Sequence, residues 1–202
     1  MAQPFTPSDS ALVLIDHQFG TMQLIKTLPL EQVTRNTLAL ARAAQILHIP
    51  AVLTSSQEDQ LQGAMLPELE PFLPNAFASR VRRLGVVNAW DDPAFAAAVE
   101  GLGRRNLIMA GVTTDVCLVY PAITAVERGY QVQAVMDASG SPFELSEEMA
   151  RQRMRDAGVV LTATNTMIAE LAHDWSRPGG MDLLELLFTK VLPPIQPAAA
   201  RA

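Results

Sequence analysis

A chain of 202 residues and 21.9 kDa is long enough for one ordinary domain that needs no disulfide or metal to hold it. With 49% apolar and 18% charged residues it has the material for a packed core, and 21 acidic against 15 basic side chains, a formal charge of -6, disfavour a nucleic-acid partner. A lone cysteine, Cys117, excludes an intrachain disulfide and a Cys-rich metal site and fits the cytoplasm, while the polar start and the absence of a long apolar run disfavour secretion and a membrane span.

Taken along the chain, residues 11–15 (Ala-Leu-Val-Leu-Ile) form the first apolar run and read as a buried strand. A helix follows over 31–48, with Val33, Leu40, Ala44 and Leu47 on one side and Pro50 beyond its end. Residues 51–53 give a second strand, 78–82 a weaker one, and 93–102 a helix. Next come a strand at 106–110, a helix at 114–128 closed by Gly129, and a strand at 132–136. A helix at 145–157 closed by Gly158 and a strand at 159–163 complete the series. Strands alternating with helices imply right-handed crossovers, hence a three-layer α/β/α domain around a six-stranded parallel sheet of Rossmann-like topology. That domain is expected to occupy residues 1–190, followed by a Pro/Ala-rich arm over 191–202.

Ligands of such sheets bind beyond the carboxyl ends of the strands, which selects residues 16–19, 54–57, 111–117 and 137–142. Cys117 falls where a strand runs out and a helix begins. If Thr113 or Thr114 caps that helix, free backbone N–H groups favour a thiolate there; a buried cysteine acting as a small apolar side chain is the competing reading. Asp16 ends the first strand and fits either a general base or a turn cap. Arg80, Arg82 and Arg83 precede an apolar stretch, where at least two are expected to form a solvated edge. The only lysines, Lys26 and Lys190, lie beside no strand end, so a central cation has to be Arg, which cannot shuttle a proton. His17, His48 and His173 are too scattered for a metal site, and Gly101-Leu-Gly103 precedes a strand instead of following one, which argues against a nucleotide loop; no metal and no cofactor are expected.

Arg83-x-Gly85-x-x-Asn88-Ala-Trp90, Gly111-Val-x-Thr-x-Val-Cys117, Asp137-Ala-Ser-Gly140 and His173-Asp-Trp175, with Asp16 upstream, resemble the isochorismatase-like cysteine hydrolases, in particular the YcaC-like branch. The likeness covers about residues 12 to 175. It implies a catalytic triad of Asp16, Arg83 and Cys117, with Arg83 where many relatives carry Lys. It also implies a cis peptide between Val112 and Thr113 and an oxyanion site made by the Thr113 and Cys117 backbone N–H groups. Gln18, Phe19, Thr54 and Asn88 are the pocket candidates on position and family analogy. The implied activity is hydrolysis of C–N bonds other than peptide bonds, in a small amide or related acyl compound, through a thioester. The implied assembly is a homo-oligomer such as an octamer. A small-molecule-binding or scaffold protein of the same fold with a vestigial site is the alternative.

Overall fold

The computed structural model describes residues 4–195. Six strands form one all-parallel sheet in the order β3-β2-β1-β4-β5-β6: β1 (Ser10–Ile15), β2 (Ala51–Ser56), β3 (Val81–Arg83), β4 (Asn106–Gly111), β5 (Gln131–Val135) and β6 (Val160–Thr162). The expected α/β/α architecture is therefore the one observed. Five strands fall within a few residues of their apolar runs. The sixth, β3, starts later than the expected 78–82 because Pro74 opens a short helix that runs to Ala78.

Side-chain alternation along the strands divides the interior in two. Leu12 and Leu14 of β1, Leu53 of β2 and Ile108 of β4 pack on one face beneath α2 (Leu30–Ile46), α7 (Thr164–Ala172) and α8 (Gly180–Leu186). Ala11, Val13 and Ile15 of β1 and Leu107 and Met109 of β4 meet α4 (Pro93–Glu100), α5 (Val119–Glu127) and α6 (Glu144–Asp156) on the other. The two remaining helices are single turns, α1 (Phe19–Met22) and α3 (Pro74–Ala78). At Gly129 and Gly158 the φ angles of 91° and 89° let the chain turn left-handed after α5 and α6, as the sequence suggested. Helices α7 and α8 correspond to no element expected from the sequence, although Met167, Ile168 and Leu171 carry a helical spacing and are buried.

Chain order within the sheet sets the location of the site. From β1 the chain steps outward through β2 to β3, then returns to β4 on the other side of β1 and steps outward again through β5 to β6. The crevice opens where these two directions part, beyond the carboxyl ends of β1 and β4. The rim segments are Asp16 after β1 and the stretch from Val112 to Cys117 after β4. The expected arm at 191–202 is described only to Ile195, and the turn that follows α8, Leu187–Val191, crosses the expected boundary; residues 196–202 lie outside the described part. Among the described residues no helix is long and apolar enough to cross a membrane.

Phe95 of α4 is fully buried and meets Trp90 edge to face at 5.4 Å between ring centroids. Phe95→Ala should destabilise the fold by about 3–5 kcal/mol, read as a lower denaturation midpoint at an unchanged slope.

Candidate active site

Asp16 leaves β1 with φ 57°, a left-handed conformation that Asp tolerates better than most residues. The turn is fixed by its N–H donating to the Thr54 carbonyl at 2.9 Å and by its own carbonyl accepting from Gln18 N–H at 2.7 Å. The carboxylate is thereby swung over the sheet edge and buried. Arg83 ends β3, two strands away, or about 10 Å at the spacing of a sheet. Its side chain crosses β2 to reach Asp16, with Nη2 donating to Asp16 Oδ1. On the way Nε donates to Thr54 Oγ1 at 3.0 Å, and Nη1 donates to the Val86 carbonyl at 2.8 Å. A buried ion pair carries a large dehydration cost that only full hydrogen bonding offsets, and this one is partnered at all three guanidinium nitrogens.

Cys117 lies in a π turn, Thr114–Leu118, that leads into α5 after the cis peptide Val112–Thr113. The Thr113 carbonyl collects three N–H groups, from Val116 at 3.3 Å, Cys117 at 2.8 Å and Leu118 at 3.2 Å. This corrects two expectations. No Thr113 side chain caps a regular first turn. The Cys117 N–H is engaged within the protein, which leaves the Thr113 N–H as the one backbone donor of the expected pair that faces the thiol. Burial pushes the Cys117 thiol well above its ordinary range, and the charge and hydrogen bonding of Asp16 push it further, against weaker help from the Thr113 N–H and Arg83. Dehydration and Asp16 thus disfavour the thiolate that a helix start suggested. Burial likewise raises Asp16, with Arg83 pulling in the opposite direction, so the carboxylate is a stronger base than an exposed one.

These three side chains open into a cavity of about 470 Å³. Its walls include Leu24, Leu61, Val86, Val87 and Val116, with Gln57 and Gln62 at one side. A larger hollow of about 890 Å³ between α2 and α8 contains no part of the triad. None of the four expected pocket residues lines the smaller cavity. Gln18 is buried and clamps the 56–63 loop, donating to Ser56 and Gly63 carbonyls at 2.8 and 2.6 Å and accepting from Ser56 N–H at 2.8 Å. Phe19 points to solvent at 70% exposure, and it is the neighbouring Gly20 and Thr21 that reach the wall. Thr54 lies beneath Arg83, accepting from it and donating to the Val81 carbonyl at 2.9 Å. Asn88 accepts from Trp90 N–H and donates to Thr124 Oγ1 at 3.0 Å, and Trp90 Nε1 donates to the Pro121 carbonyl at 3.0 Å; together they pin the loop after Arg83 to α5.

The remaining rim segment, 137–142, supports the turn from below. Asp137 receives the N–H and hydroxyl of Thr164 at the start of α7, at 2.7 and 2.8 Å, and Ser141 accepts from Asp115 N–H at 3.2 Å while donating to the buried Glu147 at 2.6 Å. Of the arginines, Arg80 pairs with Glu58 at 2.7 Å and Arg82 is exposed. Among the described residues no cluster of three or more His, Cys, Asp or Glu side chains could hold a metal ion.

The whole of this arrangement lies within or beside residues 10–166, which match the isochorismatase domain. The chain belongs to the isochorismatase-like hydrolase family. It is 35% identical to the probable hydrolase YcaC of Escherichia coli over 96% of this chain and 92% of that protein. The solved structure of the Escherichia coli YcaC gene product, described as an octameric hydrolase of unknown specificity, matches with a TM-score of 0.89 at 34% identity, over 95% of this chain and 92% of that one. YcaC from Pseudomonas aeruginosa, solved with hexane-2,5-diol and covalent acrylamide, matches at 0.87 and 35% identity, over 92% of each chain.

Two titrations follow for this isochorismatase-family chain. Iodoacetamide should modify Cys117 more slowly than a small free thiol at pH 7, with the rate still rising above the ordinary thiol midpoint of about 8.5. Buried His17 donates through Nε2 to the Ala138 carbonyl at 2.9 Å, and burial lowers its pKa to about 4. The unfolded chain then binds the extra proton first, so stability should fall as pH drops from 6.5 to about 4. Denaturant titrations across that window should show the loss in the parent and a flatter profile in His17→Gln.

Proposed function

We propose that the chain hydrolyses a small amide or related acyl compound through a thioester on Cys117. The observation that carries this reading is the Asp16 carboxylate set between the Arg83 guanidinium and the Cys117 thiol. A buried base with a raised pKa beside a neutral nucleophile supports proton removal during attack, when the sulfur's negative charge passes on to the substrate oxygen. That the Pseudomonas aeruginosa relative was solved with covalent acrylamide, an electrophile that takes nucleophiles at its vinyl carbon, also supports a nucleophile in this branch that a compound of that size can reach.

In the proposed sequence Asp16 takes the Cys117 proton as Sγ bonds to the acyl carbon, and the carbonyl oxygen gains negative charge next to the Thr113 N–H. The C–N bond then breaks, with protonated Asp16 giving its proton to the departing nitrogen. Asp16 next takes a proton from a water molecule whose oxygen attacks the thioester, and it returns that proton to sulfur as the acid leaves. Arg83 holds Asp16 in place throughout and moves no proton, since guanidinium does not dissociate in this range. In line with the octameric Escherichia coli relative, we propose a homo-octamer of single-domain subunits.

Ammonia release from a panel of small primary amides tests the chemistry. Cys117→Ser should abolish it and Asp16→Asn should lower it by about 10²–10⁴-fold. Arg83→Ala should lower turnover by about 100-fold or more, with part regained in Arg83→Lys. A panel turned over at equal rates by the parent and Cys117→Ser would overturn the reading, and a parent inert to every compound that still binds them would favour a vestigial site.

A further inference from the structure

The charges of the cavity cancel before any ligand enters. Asp16 and Arg83 are the charged side chains among its walls, and they are spent on one another. Every guanidinium nitrogen of Arg83 already donates, to Asp16, Thr54 or the Val86 carbonyl, and the residue is 2% exposed. The adjoining hollow is lined by Arg82 together with Glu58 and Asp59; Arg82, its side chain 65% exposed, stands 3.3 Å from the Glu58 that Arg80 also holds at 2.7 Å, so this cation faces solvent and is not among the walls of the cavity. The mouth is apolar, with Leu61 at 96% and Val87 at 56% exposure. A carboxylate entering here would shed water, meet the negative side of Asp16 and find, among the cavity walls, no cation that is not already paired.

The polar groups left open are neutral ones. Gln62 Nε2 donates to Gln57 Oε1 at 2.8 Å, which leaves Gln57 Nε2 and Gln62 Oε1 without protein partners among the described residues. Gln57 is held with φ 48° at the end of β2, its N–H donating to the Arg83 carbonyl at 3.0 Å. Gly85 makes room for its amide, since a Cβ there would stand 3.2 Å from Gln57 Nε2. One uncharged donor and one uncharged acceptor on an apolar wall suit a compact molecule with a single polar, neutral group.

Resting on the hydrolase reading above for its chemistry, we infer that the site selects small uncharged acyl compounds and turns carboxylates away, including dicarboxylates of the kind that gives the family its name. The selection is a property of the cavity and can be read without turnover. Iodoacetamide and iodoacetate are close in size and differ in charge, and Cys117 is the only thiol in the chain. The ratio of their alkylation rates on the intact protein at pH 9, divided by the same ratio on N-acetylcysteine, should be about 30 or more. Placing a cation on the rim with Val87→Arg, and in a second variant with Val116→Lys, should lower that quotient by about tenfold in at least one of them. A parent quotient near 1, or one untouched by both variants, would overturn the inference. Because alkylation needs no hydrolysis, a high quotient in a protein inert to amides removes only the hydrolase reading. A quotient near 1 alongside cysteine-dependent ammonia release removes only the charge selection.

Discussion

The contact between Arg83 and Asp16 joins an edge strand to the centre of the sheet beneath a cavity, and the rest of the site is arranged around its cost. Two ions taken out of water lose several kcal/mol of hydration each, and their attraction recovers this only when the remaining donors are matched. Thr54 on the intervening strand and the Val86 carbonyl supply those matches. The loop carrying Val86 is in turn tied to α5 through Asn88 and Trp90, so the cation, its acceptors and the helix behind Cys117 form one connected unit. Removing either ion would leave the other buried alone, which costs about 3–5 kcal/mol and makes the pair a matter of folding as well as of chemistry.

The same dependence explains the state of Cys117. A cysteine at the start of an exposed helix gains from the dipole, and a sequence shows only the start. Here the amides of the turn converge on the Thr113 carbonyl and the half-buried thiol stands beside a carboxylate, so loss of hydration outweighs the dipole. In the proposed mechanism proton transfer during attack replaces a preformed thiolate, and the raised basicity of Asp16 would serve that purpose.

The sheet and the rim positions of Asp16 and Cys117 were legible because both depend on local pattern, whereas the choice of Arg83 from its cluster came only with the family resemblance. Apolar runs mark strands, strand ends mark the rim, and Asp16 and Cys117 occupy those ends while the arginine cluster marks the edge. The lining was not legible. Phe19 and Gln18 follow Asp16 closely in sequence, yet the chain turns at α1 so that Phe19 faces solvent and Gln18 is consumed by the 56–63 loop. Gln57 belongs to the rim stretch 54–57, but Gln62, Val86 and Val87 come from loops whose path no periodicity encodes. Thr54 and Asn88, expected at the pocket, lie behind it, hydrogen-bonded to Arg83 and to Thr124 of α5.

Arg83 is carried by the shortest kind of strand in the sheet, three residues paired on one side only. Segments of that sort separate from a domain at lower free energy than its central strands, and they exchange their amide hydrogens by local openings that leave the core intact. Each such excursion of β3 would withdraw the guanidinium and leave Asp16 free to take up a proton. The site's electrostatic integrity is therefore set by the resilience of the sheet's margin, and not by that of β1 and β4, after which Asp16 and Cys117 stand.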